Sequence, residues 1–231
     1  LREGIGDILA EGVRRASEKI GKGSEAYAIH CKGLEGPAHD PRAGKALAVT
    51  YGTANRGMCH IHPLEGMAYD AGKIDWGLMK YGLPDPNDVE RWAEKGKGKI
   101  VKKLQDGLML PDIMNTCKFF MYADITLEHL AEIYSSMTGW EVSGEDLMTV
   151  GERVLNLQRM FNVREGVARA DDQLPARVLQ QPAFGFYEKE AQCATQNFDD
   201  MLDEYYNARK WDKQTGKPSE EILKELGLEN I

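Results

Sequence analysis

The residues with the clearest capacity for chemistry lie in the segment Met58-Cys59-His60-Ile61-His62, directly after a run of small residues. An imidazole titrates near neutrality, so His60 could serve as an acid, a base or a donor to a developing oxyanion. His60 and His62 are two positions apart and would point to opposite sides of a strand, which argues against a two-histidine metal clamp. A hydrogen-bonded core histidine is the commoner reading, and both interpretations of His60 stay open.

A second candidate segment is Pro111-Asp112-Ile113-Met114-Asn115-Thr116-Cys117. A turn opened by proline, with an acid five positions before a cysteine, can present both side chains and several backbone N–H groups to one ligand. The Asp112 carboxylate could accept hydrogen bonds from the ring N–H groups of a cofactor, and the Cys117 thiolate could bind a soft metal. Taken alone, Cys117 is more often a buried apolar thiol, so this segment also has two interpretations.

The composition excludes several classes of protein. The 231 residues carry a formal net charge of -8 without a basic block, which counts against nucleic acid as a partner. No apolar run approaches the roughly 18–20 residues needed to cross a bilayer. No C-x-x-C pair relates Cys31, Cys59, Cys117 and Cys193, so the chain encodes no self-contained metal site. A chain of this length does not need disulfides for stability, so no disulfide framework is expected. We predict a soluble, cytoplasmic protein with reduced thiols and no membrane span.

Helical periodicity governs most of the chain, and no segment shows convincing strand alternation. Ser, Thr and Asn caps and Gly stops bound several of the patterns. The longest helix should carry Leu147, Val150, Val154, Leu157 and Phe161 on one stripe. The fold class is therefore all-α, with long loops that are functional or covered by a partner. Helices are predicted over 5–20, 45–56, from Asn87 past Trp92, around 100–104, from Thr126 to Gly139, after Ser143, over 198–206 and from Ser219 to Leu226.

Two further segments lead to structural expectations. The first helical pattern follows Leu1 almost at once, without a capping residue ahead of it, which predicts a cut through a longer chain. The charged segment from Asn162 to Arg177 is interpreted as an ion-pair network that anchors a loop. Such pairs add little stability where they are exposed.

Short motifs also occur in a specific order along nearly the whole chain. Each motif is weak alone, but the ordered set resembles the C-terminal part of the tungsten-containing aldehyde:ferredoxin oxidoreductases. The set comprises Lys32-Gly33-Leu34-Glu35, Asp40-Pro41-Arg42, Tyr51-Gly52-Thr53, Arg56-Gly57-x-Cys59-His60, Asp112, Cys117-Lys118-Phe119, Asn162-Val163-Arg164-Glu165-Gly166, Asp171-Asp172-x-Leu174-Pro175-x-Arg177, Tyr205-Tyr206-x-x-Arg209, Trp211-Asp212, Thr215-Gly216-x-Pro218 and Leu226-Gly227-Leu228.

The resemblance implies cofactors and site residues. In this family the dithiolenes of two pterins hold a tungsten or molybdenum, and one 4Fe-4S cluster lies beside them. Cys117 matches the fourth cluster cysteine, and Asp112 matches the acid that bonds a pterin ring. Thr116 matches a position whose backbone contacts a pterin, although the family often has Gly-Leu where this chain has Asn115-Thr116. His60 matches the histidine near the metal, which is proposed to position or protonate the substrate.

The resemblance also implies an architecture and a reaction. It predicts irregular multi-helix domains: the end of the second domain in 1–48 and the third domain in 49–231, with the pterin-covering N-terminal domain absent from this chain. The implied reaction oxidises an aldehyde to its carboxylic acid, and electrons leave singly to a ferredoxin or another electron-transfer subunit. Residues outside this chain would complete both cofactor sites, and the enzyme is expected to be an oligomer.

Two alternatives remain. One is the catalytic subunit of a benzoyl-coenzyme A reductase from the same family, for which the stretch from His60 to Pro63 leaves room. Its substrate would be an aromatic acyl-coenzyme A. The other is a non-catalytic helical module that binds a partner, with no cofactor-binding role for Asp112 or Cys117.

Overall fold

The computed structural model describes residues 2–62, 66–183 and 194–230, and these ranges are mostly helical. Two short antiparallel strands, β1 (His30–Cys31) and β2 (Leu34–Glu35), are the only strands in those ranges. The all-α prediction is confirmed, as are the long loops. The α-helices are α1 (Ile5–Leu9), α2 (Gly12–Ile20), α3 (Lys45–Thr53), α4 (Gly66–Asp70), α5 (Lys97–Leu108), α6 (Leu110–Ile113), α7 (Leu127–Thr138), α8 (Gly144–Arg164), α9 (Ala176–Gln180), α10 (Phe198–Arg209) and α11 (Glu220–Glu225).

Helix α5 lies at the centre of the fold and packs against α3, α8 and α10. Two glycines permit close helix crossings. A Cβ at Gly98 would lie 2.3 Å from the backbone nitrogen of Tyr205, and one at Gly151 would lie 1.9 Å from the carbonyl oxygen of Asp106. Every residue of α3 is buried, so packing holds in place the point where the chain leaves the C-terminal end of this helix.

Several predicted helix ends are confirmed. Helix α7 begins after Thr126, whose N–H donates to Nδ1 of His129 at 3.1 Å, and Gly139, with φ of 75°, caps its C-terminal end. Helix α8 begins with the predicted capping box of Ser143 and Asp146. Ser219 caps α11 by accepting the N–H of Ile222. Each of these ends depends on local hydrogen bonds.

Other helix predictions are wrong in detail. The helix expected over 5–20 is divided before Gly12, whose φ is 84°. The helix expected after Asn87 is absent, because Oδ1 of Asp85 accepts the Asn87 N–H in a turn. Gly96 has a left-handed φ of 89°, and α5 starts only after it. Helix α3 ends at Thr53, three residues before the predicted end.

The apolar stripe predicted for α8 is only partly buried. The helix buries a different face, which includes Gly151, Leu155 and the fully buried polar side chains of Asn156 and Arg159. A hydrophobic pattern cannot anticipate a polar face that is buried against specific partners. Leu157 and Phe161 of α8 therefore remain more than a third exposed, and so do Ile133 and Met137 of α7.

The ion-pair network predicted around 162–177 is present but buried. Its centre is Asp172, which lies 2.7 Å from Nζ of Lys32 and 2.9 Å from Nη1 of Arg159, and which accepts the hydroxyl of Tyr206. Burial alone would raise the pKa of Asp172, but the cations of Lys32 and Arg159 outweigh it and hold that pKa below its usual range. The network joins the β1–β2 hairpin, α8 and α10, so its role exceeds the anchoring of one loop.

The division after residue 48 falls within α3 and stays a prediction. Of the four cysteines, Cys31, Cys59 and Cys117 are free thiols, and Cys193 lies outside the described residues. Within the described ranges, no helix has both the length and the apolar character that crossing a membrane requires.

Candidate functional site

The first candidate segment leaves the buried end of α3 and turns against the β1–β2 hairpin. Gly57 permits this turn, since its φ is 109° and a Cβ there would lie 2.4 Å from the carbonyl oxygen of Cys31. Residues 58–62 form bends and a turn, with a single bridge residue at Ile61, rather than a strand. The strand geometry that was used to separate His60 from His62 therefore does not apply here.

The fold brings the two candidate segments together. Nδ1 of His62 lies 2.9 Å from Oδ2 of Asp112. The ammonium of Lys118 bonds the same carboxylate oxygen and also the carbonyl oxygen of Ile61. We call His62, Asp112 and Lys118 the Asp112 cluster. Sequence reasoning identified Asp112 but missed both partners. Two sequence features could have pointed to these partners: the second histidine of the His60–His62 stretch and the lysine that follows Cys117.

His60 lies beside this cluster in sequence but has different partners. Its Nδ1 is 3.2 Å from the hydroxyl of Tyr51, which donates to the carbonyl oxygen of His39 at 2.9 Å. Since the hydroxyl proton goes to His39, Nδ1 of His60 carries a proton and donates to Tyr51, while Nε2 keeps its lone pair. The ring also stacks on His39, with 4.5 Å between the centroids.

Burial shifts the pKa values of the three titratable groups in a common direction. Burial, followed by the nearby His39, lowers the pKa of His60. Burial also lowers the pKa of His62 and outweighs the opposing effect of the Asp112 carboxylate. The pKa of Lys118 is lowered by burial against the pull of Asp112. Both imidazoles are therefore neutral at neutral pH, which suits hydrogen bonding with a defined proton position.

Cys117 is exposed, so the interpretation of a buried apolar thiol is wrong. The residue two positions before it, Asn115, has a left-handed φ of 56°, a conformation that asparagine and glycine adopt most readily. This explains how Asn115 can stand where the family often has glycine. The N–H of Thr116 donates to the carbonyl oxygen of Pro111 at 2.9 Å, so a cofactor contact would use the carbonyl or side chain of this exposed residue.

The chemistry of these groups fits one edge of a cofactor site. A cysteine thiolate is the usual ligand of an iron–sulfur cluster, and Cys117 offers one exposed thiol beside the exposed rings of Phe119 and Phe120. Both bonds to Asp112 within the described residues go to Oδ2, which leaves Oδ1 for another donor. Over those same residues, no group of three or more His, Cys, Asp or Glu side chains could hold a metal. Other parts of the protein would have to complete such a site.

A groove opens next to the cluster. Its volume is about 760 Å³, and its lining includes His62, Arg56, Gln158, Leu157 and Phe161. The exposed fractions of Leu157 and Phe161 are 40% and 54%. The apolar side chains left outside the core of α8 therefore lie along the approach to His62.

An exposed thiol, a partly bonded carboxylate and neutral imidazoles on a helical scaffold are groups that can bind and orient a redox cofactor. The family model described as "Aldehyde ferredoxin oxidoreductase, domains 2 & 3" matches residues 1–228. The chain belongs to this family, and the recognition made from its motifs is confirmed.

Similar proteins include the tungsten-containing aldehyde ferredoxin oxidoreductase of Pyrococcus abyssi, which is 35% identical over 100% of this chain. That of Pyrococcus horikoshii is 34% identical, also over 100% of the chain. The chain covers 35% of each of them, so it spans about a third of the length of these curated relatives. An aliphatic sulfonate oxidoreductase, WOR-like subunit, of Pyrococcus furiosus is 26% identical over 98% of this chain and 33% of its own length.

A solved structure supports the fold. The active site complex BamBC of benzoyl coenzyme A reductase, in complex with 1,5 dienoyl-CoA, superposes with a TM-score of 0.69. It is 23% identical, and the alignment covers 99% of this chain and 37% of the other. At this identity the likeness concerns the helical architecture alone.

Proposed function

We propose that this chain forms one wall of the redox centre of an enzyme that oxidises aldehydes to carboxylic acids and passes the electrons to ferredoxin. The observation that carries the proposal is the exposed Cys117 thiol next to the Asp112 cluster, at the positions where the family has its cofactor residues. The curated relatives are named as tungsten-containing aldehyde ferredoxin oxidoreductases, and these names support the substrate class and the electron acceptor.

Each site residue has a role in this proposal. Cys117 is one ligand of a 4Fe-4S cluster, while Asp112 and Thr116 bind a pterin. When bound, the tungsten or molybdenum bis-pterin supplies the two-electron oxidation and the cluster carries single electrons away. The exposed rings of Phe119 and Phe120 exclude water around the thiol once the rest of the protein covers them.

His60 handles a proton. The conversion of an aldehyde and water into a carboxylic acid releases two protons and two electrons. Nε2 of the neutral His60 accepts one of these protons, because Nδ1 is already bonded to Tyr51. The nearby His39 adds to the effect of burial in lowering the pKa of His60, so the imidazole is a base that releases the proton readily.

Elemental analysis of the natural full-length protein, purified without oxygen, tests the cofactors. About one tungsten or molybdenum and about four iron atoms per chain are expected for one pterin centre and one cubane cluster. A folded protein without these metals would overturn the proposal and favour the helical module that binds a partner.

Replacement of Cys117 by Ala in the full-length protein should remove most of the iron and leave the fold intact, because the thiol is exposed. Cys31→Ala is the matched control: that thiol is buried, so the variant should keep its iron. Iron analysis and the visible spectrum provide the measurement. Equal iron in both variants would contradict the ligand assignment of Cys117.

The substrate distinguishes this proposal from a benzoyl-coenzyme A reductase. An aldehyde oxidoreductase should reduce a viologen dye with simple aldehydes, whereas a ring reductase should ignore them and need partner subunits. We further propose an oligomer located in the cytoplasm, a location consistent with the free thiols of Cys31, Cys59 and Cys117.

A further inference from the structure

Asp112 has little support from its own helix. Helix α6 has four residues, and the Asp112 side chain keeps 25% of its surface exposed. The two bonds that hold it come from elsewhere, one from Lys118 and one from Nδ1 of His62. The orientation of this carboxylate therefore depends on where the proton of His62 lies.

A chain of hydrogen bonds fixes that proton. The backbone carbonyl of Leu155 can only accept, so the Asn55 atom 3.3 Å from it is the amide nitrogen. The same nitrogen lies 3.1 Å from Oε1 of Gln158, which turns Nε2 of Gln158 towards Nε2 of His62 at 3.2 Å. Because Gln158 Nε2 is a donor, Nε2 of His62 accepts and Nδ1 carries the proton that is donated to Asp112.

This chain of hydrogen bonds is anchored on helix α8. Leu155 and Gln158 belong to α8, and Asn162 of the same helix donates to the backbone carbonyl of Asn55 at 2.8 Å. The lowered pKa of His62 agrees with a neutral imidazole that has a single proton. The longest helix of the fold thus reaches Asp112 through two amides and one histidine.

We propose that His62 is a positioning residue, whose Nδ1–H holds the Asp112 carboxylate so that Oδ1 stays available to a pterin. This inference rests on the proposed function, in which Asp112 binds that cofactor. His62 acts through Asp112 and need not touch the substrate. Mutation of the outer hydrogen-bond partners of metal ligands typically lowers metal affinity or activity by about 10- to 100-fold. We expect an effect of similar size for the partner of a cofactor-binding acid.

Two variants of His62 test the proposal in the full-length protein. His62→Leu removes the donor and should lower tungsten retention after anaerobic dialysis by about tenfold. His62→Asn places an amide N–H near the position of Nδ1 and should restore most of the retention. Gln158→Leu removes the donor that fixes the tautomer of His62 and should give an intermediate loss of tungsten retention. The exposed Gln214→Leu is the matched control and should have no effect.

The proton position gives a readout that does not depend on turnover. In protein labelled with 15N-histidine, the signals lost in His62→Asn identify His62. Its Nδ1 should be protonated and its Nε2 unprotonated, and Gln158→Leu should mix the two tautomers. The tungsten(V) electron paramagnetic resonance spectrum should change in His62→Leu and return to the native form in His62→Asn. A general loss of folding would not be rescued in this way.

The outcomes separate the inference from the proposed function. Wild-type protein without tungsten and pterin overturns the proposed function and the role of Asp112 together. Tungsten-loaded protein in which His62→Leu retains the metal and its spectrum overturns only the inference. A protonated Nε2 on His62 in the wild type also overturns it.

Discussion

Two carboxylates of this chain, Asp172 and Asp112, have similar partners but opposite surroundings. Asp172 is fully buried, and it binds the cations of Lys32 and Arg159. Asp112 binds Lys118 and His62 but keeps a quarter of its side-chain surface exposed. The Asp172 side chain also accepts the hydroxyl of Tyr206, so both of its oxygens are bonded. In the Asp112 cluster the described residues bond only Oδ2.

The difference separates the holding of the fold from the binding of a ligand. A buried charge must find its partners within the chain, because desolvation is costly. A partly exposed charge such as Asp112, with one oxygen that the described residues leave unbonded, can bond something that these residues do not provide. The exposed rings of Phe119 and Phe120, next to Cys117 in the chain, also suit a surface that another part of the protein covers. The two carboxylates have similar partners, and they differ in burial.

The largest effect should come from breaking the buried site. Asp172→Asn leaves Lys32 and Arg159 without their countercharge, which should cost about 3–5 kcal/mol of unfolding free energy. Urea unfolding followed by circular dichroism measures it. Asp200→Asn, on an exposed acid of α10, is the matched control and should change stability by less than about 0.5 kcal/mol. A similar small change in Asp172→Asn would show that the network is dispensable.

Replacement of His60 should affect chemistry rather than folding. His60→Asn should lower turnover of the full-length enzyme by about 100-fold, the lower range for the loss of a general base, while tungsten and iron stay in place. Steady-state kinetics with an aldehyde and a viologen dye, combined with metal analysis, provide the check. The control His129→Asn changes an exposed histidine at the start of α7 and should keep full turnover. Full activity of His60→Asn would mean that His60 is a core histidine.

A smaller effect on stability is expected at the open site. Asp112→Asn should change the unfolding free energy by less than about 1 kcal/mol, since its ion pairs are partly exposed. The same variant should lose bound pterin. A stability loss as large as that of Asp172→Asn would place Asp112 among the residues that hold the fold.

The weakest effect should appear in the pH dependence of stability. His60 and His62 have pKa values below the ordinary 6.5, so the unfolded chain binds protons first as the pH falls. Their contribution is complete above pH 6.5 and is lost between 6.5 and their lowered pKa values. The contribution of Asp172 is complete above its ordinary 3.8 and is lost only below that pH. Urea unfolding across this range should show two separate losses, and His62→Asn should reduce only the first.

The sequence predicted local features well. The ends of α7, α8 and α11 follow from Thr126, Ser143 and Ser219, because a cap acts on the backbone of the next few residues. The family followed from an ordered set of short motifs, and the family model confirms it. Features that depend on distant contacts were predicted less well, as the exposed Leu157 and Phe161 show.

The sequence by itself determined the helical class, several helix ends and the family. It also supplied the residue types, since His60, Asp112 and Cys117 carry chemistry wherever they lie. Only the tertiary structure decided that His62 and Lys118 meet at Asp112, and that Cys117 faces outward. These contacts join segments on either side of α5, so they depend on how α3, α5 and α8 pack rather than on local preference. Hydrophobic periodicity carries no information on such polar contacts, because they require exact distances between side chains that are far apart in the chain.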